Sequence, residues 1–221
     1  GQHLLAIIND ILDLSKIEAG RLTVEHIATD PAALTREVVD LMQVRAAAKG
    51  IALGLSSDPG TIATVRTDPV RLRQILMNLV GNAIKFTPAG SVVVRVASDS
   101  QRITFEVRDT GIGMTPEQMS RLFKPFEQGD PSMSRVFGGT GLGLRISERL
   151  ARALGGSIVV DSAPGAGSIF TLSLPVGTRP AVAVVDRVRE ARRAVVVRGG
   201  VEGQRLVGVQ RDRAAAPASR A

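Results

Sequence analysis

Amphipathic helices and strands follow one another along this sequence, separated by turns that contain Gly or Pro. This order of elements limits the folds that the chain can adopt. Two helices begin at Asp30-Pro31 and Asp68-Pro69, where Asp is a typical N-cap and Pro suits the first turn. The second helix keeps apolar residues at helical spacing as far as Phe86. Alternating apolar residues predict strands at residues 91–97, 102–109, 157–161 and 168–174.

These elements predict an α+β fold of two layers, with helices on one face of a mixed, mostly antiparallel sheet. We expect the domain to span residues 21–176, starting with a strand-like stretch around Leu22 and Val24. One long helix over residues 1–20 precedes it, and its apolar stripe requires a partner because short isolated helices are marginal in water. Residues 177–221 have no sustained period and are expected to form a disordered, basic tail.

Composition excludes several kinds of site. The absence of Cys removes disulfides, thiolate metal sites and thiol nucleophiles, and two His residues nearly exclude a multi-His metal centre. Residues 179–221 contain ten Arg, no Lys and four acidic residues, which leaves 18 basic and 17 acidic residues in residues 1–178. The body of the protein is therefore nearly neutral, and we expect it to bind no nucleic acid. We expect a cytoplasmic location, since no apolar run approaches the ~20 residues of a membrane span and no signal peptide is evident.

The second helix carries a polar cluster, Asn78-x-x-x-Asn82-x-x-Lys85-Phe86. Its spacing places the two amides and the ammonium on one helical face. Amide oxygens can ligate a hard cation, and an ammonium can contact phosphate. A polar surface stripe is the alternative interpretation.

Two Gly-containing turns could also bind a ligand. In Asp109-Thr-Gly111-Ile-Gly113, the glycines permit close backbone approach and the carboxylate can accept from an exocyclic amine, although plain turns share this pattern. No second Asp-Thr-Gly provides the paired carboxylate of an aspartic protease. The run Gly138–Leu144 opens a helix and could bind phosphate through backbone N–H groups, or act as a hinge. The pair Phe123-x-x-Phe126 is typical of core packing.

In this order, residues 78–86, 109–113, 123–126 and 138–144 resemble the N, G1, F and G2 boxes of sensor histidine kinases, most closely hybrid kinases. These kinases belong to the ATPase superfamily that includes gyrase, the heat-shock chaperones and the mismatch-repair proteins. Residues 8–20 resemble the second helix of the kinases' dimerisation domain. The resemblance covers residues 1–176 and implies the histidine-kinase-type ATPase fold.

The resemblance also implies ATP and Mg²⁺ as cofactors, with Asn82 and Asn78 on the metal and Lys85 on the phosphates. Phe86 would lie against the nucleotide, and Asp109 would accept from the adenine amino group. Residues 127–139 would form a lid. The implied catalytic residues are Asn78 and Lys85, and the implied ATP-binding residues are Asn82, Lys85, Phe86, Asp109, Gly111, Gly113, Gly139, Thr140, Gly141, Leu142 and Gly143.

One position favours a kinase over a hydrolase. Hydrolytic members of the superfamily carry a water-activating Glu where this chain has Asn78, and a carboxamide cannot act as a general base near neutral pH. The expected function is transfer of the ATP γ-phosphoryl group to a His. Neither His3 nor His26 matches the phosphoacceptor, so we expect that His on an acceptor helix missing from this chain.

The resemblance implies two partners. They are a His-bearing dimerisation domain, in a homodimer, and the receiver domain of a response regulator. A membrane partner stays open, since a longer parent protein could be anchored upstream of these residues. An ATP-hydrolysing member of the superfamily and a non-catalytic dimerisation or regulatory module stay open as alternative functions.

Overall fold

The computed structural model describes residues 21–123 and 142–176, together with Ser15 and Ala19. The helix expected over residues 1–20 is therefore described only at those two positions. The expected tail and the expected lid lie outside the described residues, as do Phe126, Gly139, Thr140 and Gly141.

Within the described residues, seven strands form two sheets. They are β1 (Ile27–Thr29), β2 (Ala52–Ser57), β3 (Val65–Thr67), β4 (Ser91–Ser98), β5 (Arg102–Asp109), β6 (Ser157–Ala163) and β7 (Gly167–Pro175). The main sheet has the order β2-β4-β5-β7-β6, in which β2 runs parallel to β4 and every other neighbouring pair is antiparallel. The prediction of a mixed, mostly antiparallel sheet is confirmed.

The described helices are α1 (Pro31–Ala48), α2 (Pro69–Phe86), α3 (Pro116–Arg121) and α4 (Gly143–Ala153). The predicted Asp-Pro starts of α1 and α2 are confirmed. The Asp30 carboxylate accepts from the N–H groups of Ala32 and Ala33, and Asp68 Oδ1 accepts from the two corresponding N–H groups of α2. None of the helices in the described part of the chain is long and apolar enough to cross a membrane.

The core lies between the helices and one face of the main sheet. In β4, Val92, Val94 and Val96 are buried while Val93 and Arg95 are exposed, as strand alternation requires. Without Trp or Tyr, the core is mostly aliphatic around the fully buried Phe105. The α2 helix contributes the largest set of completely buried side chains, Leu72, Ile75, Leu76, Leu79 and Val80. Burial of these side chains sets the orientation of α2, and the opposite face of the helix carries the polar cluster.

The strand-like prediction around Leu22 and Val24 is wrong. Both side chains pack against the core, which explains the apolar alternation, but the first ladder begins only at Ile27 and pairs β1 with β3. The N–H of Glu25 donates to Asp68 Oδ2 at 3.2 Å instead of joining a sheet. Alternate side chains can therefore pack against the core in a segment that joins no strand ladder.

Lys49 joins the ends of α1 and α2. Its Nζ donates to the carbonyl oxygens of Ile84 (2.7 Å) and Lys85 (2.6 Å), which lie in the last turn of α2. A cation at this position satisfies terminal carbonyls and complements the helix dipole.

We expect Lys49→Met to destabilise the protein by about 1 kcal/mol, which lowers the melting temperature by ~2–4 °C for a domain of this size. Differential scanning calorimetry measures this change. The matched control is Arg36→Met, which removes an exposed positive charge from the second turn of α1, away from either helix C-terminus, and should leave the melting temperature unchanged. Equal melting temperatures for Lys49→Met and the wild type would contradict the assigned role.

Candidate functional site

The turn after β5 and the start of α4 both contact the C-terminal half of α2. The Phe86 carbonyl, at the end of α2, accepts from the N–H of Ile112 in the turn at 3.2 Å. Asn78, two turns earlier, donates to Ser147 of α4 at 2.8 Å. The structure thus brings the described residues of the N, G1 and G2 boxes together.

The two amides of α2 form a hydrogen-bonded chain with α4. Asn82 Nδ2 donates to Asn78 Oδ1 at 3.3 Å, and Asn78 Nδ2 donates to Ser147 Oγ at 2.8 Å. Ser147 is buried, whereas both amides are half-buried. The nitrogen of Asn82 is directed at Asn78, so its oxygen faces the opposite side of the amide and can serve as a ligand for a hard cation.

Lys85 and Phe86 lie at the end of the same helix. Lys85 Nζ is 4.8 Å from the centroid of the Phe86 ring, within cation–π range. Burial lowers the pKa of the Lys85 ammonium below its ordinary value. A partly desolvated cation interacts more strongly with an anion than a fully hydrated one, which suits Lys85 to contact phosphate.

Asp109 is the buried carboxylate of the site, with 5% of its surface exposed. Its Oδ1 accepts from the N–H of Gly111 at 2.9 Å and from the N–H of Ser168 at 3.2 Å. Burial raises the pKa of Asp109 above its ordinary value, although both N–H groups and the Ser168 hydroxyl oppose that shift. Because both donors hold Oδ1, the carboxyl group is fixed in orientation and Oδ2 can accept from another group.

The glycines of this turn are required by protein packing. A Cβ at Gly111 would overlap the Phe86 carbonyl oxygen, and a Cβ at Gly113 would overlap the carbonyl oxygen of Ala163 on the β6–β7 hairpin. Gly113 also has φ +65°, a conformation unfavourable for other residues. Close backbone contacts therefore account for both glycines before any ligand is considered.

Gly113→Ala should destabilise the protein by about 2–3 kcal/mol, because it adds a backbone overlap to the strain of positive φ. Gly165→Ala is the matched control: Gly165 has φ +75° with no atom within 4 Å of an added Cβ, so it should cost only ~1 kcal/mol. Urea unfolding of the two variants measures the difference. Equal destabilisation would show that the contact with Ala163 is unimportant.

The described part of the G2 box consists of Leu142 and Gly143. The Leu142 side chain is buried in the core (4% exposed), so only its backbone could face a ligand. A Cβ at Gly143 would lie 2.5 Å from Asn78 Oδ1, so this glycine permits the close approach of α4 to α2. In the F box, Phe123 packs against the core, as expected from its sequence.

Ser147 and Ser168 are two site residues that were not predicted from the sequence. Ser147 lies among Ile146, Leu150 and Ala151 on the buried side of α4. A hydroxyl on an apolar helix face was the available signal, because buried polar groups need partners. Ser168 has no such signal, since its contact with Asp109 depends on the register between β5 and β7.

Comparison with known proteins agrees with this geometry. A family profile, described as histidine kinase-, DNA gyrase B- and HSP90-like ATPase, matches residues 67–178, which include α2, the turn after β5 and α4. The chain belongs to this ATPase family. Its α+β fold, recognised above by resemblance, is thereby shown to be the histidine-kinase-type ATPase fold.

Relatives of the chain include sensor histidine kinases. The chain is 45% identical over 177 residues to the sensor protein GacS of Pseudomonas syringae pv. syringae, covering 78% of the chain and 20% of that relative. It is 42% identical over 187 residues to the histidine-protein kinase BarA of Escherichia coli (strain K12), covering 82% of the chain and 20% of BarA. The chain thus spans about a fifth of the length of these relatives.

Solved structures of histidine kinases share the fold. Full-length ShkA, crystallised in complex with AMPPNP, superimposes with a TM-score of 0.71 at 35% identity, covering 80% of this chain and 37% of ShkA. The Acinetobacter baumannii histidine kinase AdeS superimposes with a TM-score of 0.67 at 26% identity, covering 80% of each chain. The resemblance to sensor histidine kinases is confirmed.

Proposed function

We propose that residues 21–176 form the catalytic, ATP-binding domain of a two-component sensor histidine kinase, and that this domain transfers the γ-phosphoryl group of ATP to a His on a dimerisation domain. The observation that carries the proposal is the amide of Asn78 and its hydrogen bond. By the resemblance, its amide stands where hydrolytic members carry a water-activating carboxylate, and its nitrogen donates to Ser147. An amide cannot take a proton from water, so attack of water on the γ-phosphorus should be slow and transfer to a protein nucleophile is favoured.

Asp109 is proposed to select the adenine base. Its Oδ1 is saturated by two backbone N–H groups, which leaves Oδ2 to accept from an exocyclic amine. Adenine offers that donor, whereas guanine has a carbonyl oxygen at the equivalent position. Phe86 would lie against the nucleotide, and the turn of Gly111 and Gly113 would border the base.

The residues present fit a bound Mg²⁺. Asn82 can offer an amide oxygen, which is a ligand type that Mg²⁺ accepts, and Asn78 lies one turn away on α2. Mg²⁺ would neutralise charge on the phosphates. Lys85 would contribute a partly desolvated positive charge, and Gly139, Thr140, Gly141, Leu142 and Gly143 would contribute the backbone N–H groups of the G2 box.

In the proposed reaction, an imidazole nitrogen of the acceptor His forms a bond to the γ-phosphorus while the bond from that phosphorus to its bridging oxygen breaks. ADP leaves with the bridging oxygen. Asn78 and Lys85 position and stabilise the transferring group, because phosphoryl transfer depends on positioning and charge stabilisation.

The acceptor His is proposed to lie on the dimerisation domain of a homodimer, from which a receiver domain of a response regulator takes the phosphoryl group. The homology to GacS and BarA supports both partners. A cytoplasmic location is proposed because the reaction consumes ATP.

The test supplies this chain with the His-bearing dimerisation domain of Pseudomonas syringae GacS and γ-labelled ATP. We expect acid-labile label on that domain and little phosphate release without it. A domain with its acceptor His replaced by Gln is the control and should stay unlabelled. Steady phosphate release without acceptor would instead support a hydrolase, and absence of nucleotide binding by the folded chain would support a non-catalytic module.

A further inference from the structure

Ser147 is a buried hydroxyl that the proposed reaction does not use directly. It lies on α4 with 2% of its surface exposed, between apolar neighbours of the core. Its Oγ accepts from Asn78 Nδ2 at 2.8 Å, across the packing of α4 against α2. A buried serine that bonds a side chain of the candidate site can affect that site without touching a ligand.

The bonds to Ser147 and Asn82 together set which way the Asn78 amide faces, because the Ser147 hydroxyl can accept or donate whereas Asn82 Nδ2 only donates. A carboxamide donates only from its nitrogen and accepts only at its oxygen. With Nδ2 directed at Ser147, Asn78 presents Oδ1 to Asn82, whose Nδ2 donates to it at 3.3 Å. The reversed amide would present two N–H groups to Asn82 Nδ2, and this bond would be lost.

Gly143 confines the same amide from another side. A Cβ at Gly143 would lie 2.5 Å from Asn78 Oδ1, and Gly143 is one helical turn before Ser147. Two residues of α4 therefore surround the Asn78 amide, one by a hydrogen bond and one by close contact. The start of α4 and the polar face of α2 are therefore in direct contact at Asn78.

We propose that Ser147 is a positioning residue for the metal–nucleotide site: it fixes the amide of Asn78, which fixes the amide of Asn82 with its oxygen available to Mg²⁺. This inference rests on the proposed function, because it names a residue that orients the proposed metal ligand. Ser147 itself contacts neither metal nor nucleotide.

The test compares nucleotide affinity with and without metal. We expect Ser147→Ala to weaken ATP binding in Mg²⁺ by about two- to tenfold, the range expected for one lost hydrogen bond. ATP binding in EDTA should not change, because Asp109 and Phe86 are untouched. Thr35→Val is the matched control, since it removes a fully buried hydroxyl that bonds only within α1 and should alter neither affinity.

A double-mutant cycle tests whether Ser147 acts through Asn78. In an Asn78→Ala background, Ser147→Ala should cause no further loss of Mg²⁺-dependent affinity. Equal losses in both backgrounds would overturn the proposal, as would equal weakening with and without Mg²⁺, or no weakening at all. Failure of the wild-type chain to bind ATP would instead overturn the proposed function.

A second measurement does not depend on ligand or activity. In NMR spectra of the nucleotide-free chain, the Asn78 side-chain NH₂ protons should exchange slowly in the wild type and faster in Ser147→Ala. Unchanged exchange would contradict the hydrogen bond. If Ser147→Ala does not fold, Ser147→Cys provides the same comparison, because a thiol is close in size and only a weak acceptor.

Discussion

Asp109→Asn is expected to reduce the affinity for ATP by about 100-fold. The substitution removes a charge-assisted hydrogen bond and places two hydrogen-bond donors against each other. The asparagine Oδ1 would still accept from Gly111 and Ser168. Its Nδ2 would then face the adenine amine, donor against donor. Rotation of the amide cannot relieve this conflict, because Nδ2 would then face two backbone N–H groups. Isothermal titration calorimetry measures the loss.

The same substitution should not weaken the nucleotide-free fold at neutral pH. Burial raises the pKa of Asp109, so the folded state prefers the neutral acid. The stability that the acid form provides is complete below the ordinary pKa and is lost as pH rises through the raised pKa of the folded state. Ionised Asp109 therefore costs free energy at neutral pH, and Asp109→Asn should melt at the same or a higher temperature.

Asp99→Asn is the control for this experiment. Asp99 lies in the turn before β5, at the opposite end of that strand from Asp109, and its Oδ1 also accepts from two backbone N–H groups, those of Gln101 and Arg102. The substitution preserves the acceptor and is distant from the site. ATP affinity equal to that of the wild type is expected for Asp99→Asn. The assignment of Asp109 to adenine would be contradicted by wild-type affinity in Asp109→Asn.

Asn82→Ala is expected to reduce phosphorylation of the GacS dimerisation domain by about 100- to 1,000-fold, the usual cost of removing one group that stabilises transition-state charge. The variant loses the amide oxygen proposed for Mg²⁺, while Asp109 and the turn of Gly111 are unaffected. ATP binding in EDTA should therefore be retained. Initial rates of label transfer, at saturating ATP and Mg²⁺, measure the effect.

Gln74→Ala is the matched control, since it removes a carboxamide from the same helix two turns earlier. Its transfer rate should equal that of the wild type. A rate in Asn82→Ala within a few-fold of the wild type would exclude Asn82 as a metal ligand.

Local signals were sufficient to predict most of the fold. The Asp-Pro caps located the starts of α1 and α2 because Asp30 and Asp68 bond the first N–H groups of their helices, which is a short-range interaction. Strand alternation located β4 and β5 because one face of the sheet is buried. β3 was missed because a strand of three residues, Val65–Thr67, is too short for a periodic signal.

The sequence predicted candidate site residues but not the contacts that they make. Asn78, Lys85 and Asp109 were identified from spacing and from resemblance. The bond from Asn78 to Ser147 joins residues 69 positions apart, and the bond from Ser168 to Asp109 joins residues 59 apart. Gly113 was expected to allow a ligand to approach, yet a Cβ added at this position would overlap the Ala163 carbonyl oxygen. Such contacts depend on how α4 and the β6–β7 hairpin dock, which no local pattern specifies.

If this chain binds adenine nucleotide through Asp109, thermal melts with Mg·ATP and with Mg·GTP should differ. Ligand at ~100 times its Kd stabilises by ~2.7 kcal/mol. For a domain of this size, that raises the melting temperature by ~5–10 °C. We expect a shift of this size with ATP and little or none with GTP. A cooperative melt that neither nucleotide shifts, or that both shift equally, would contradict this expectation.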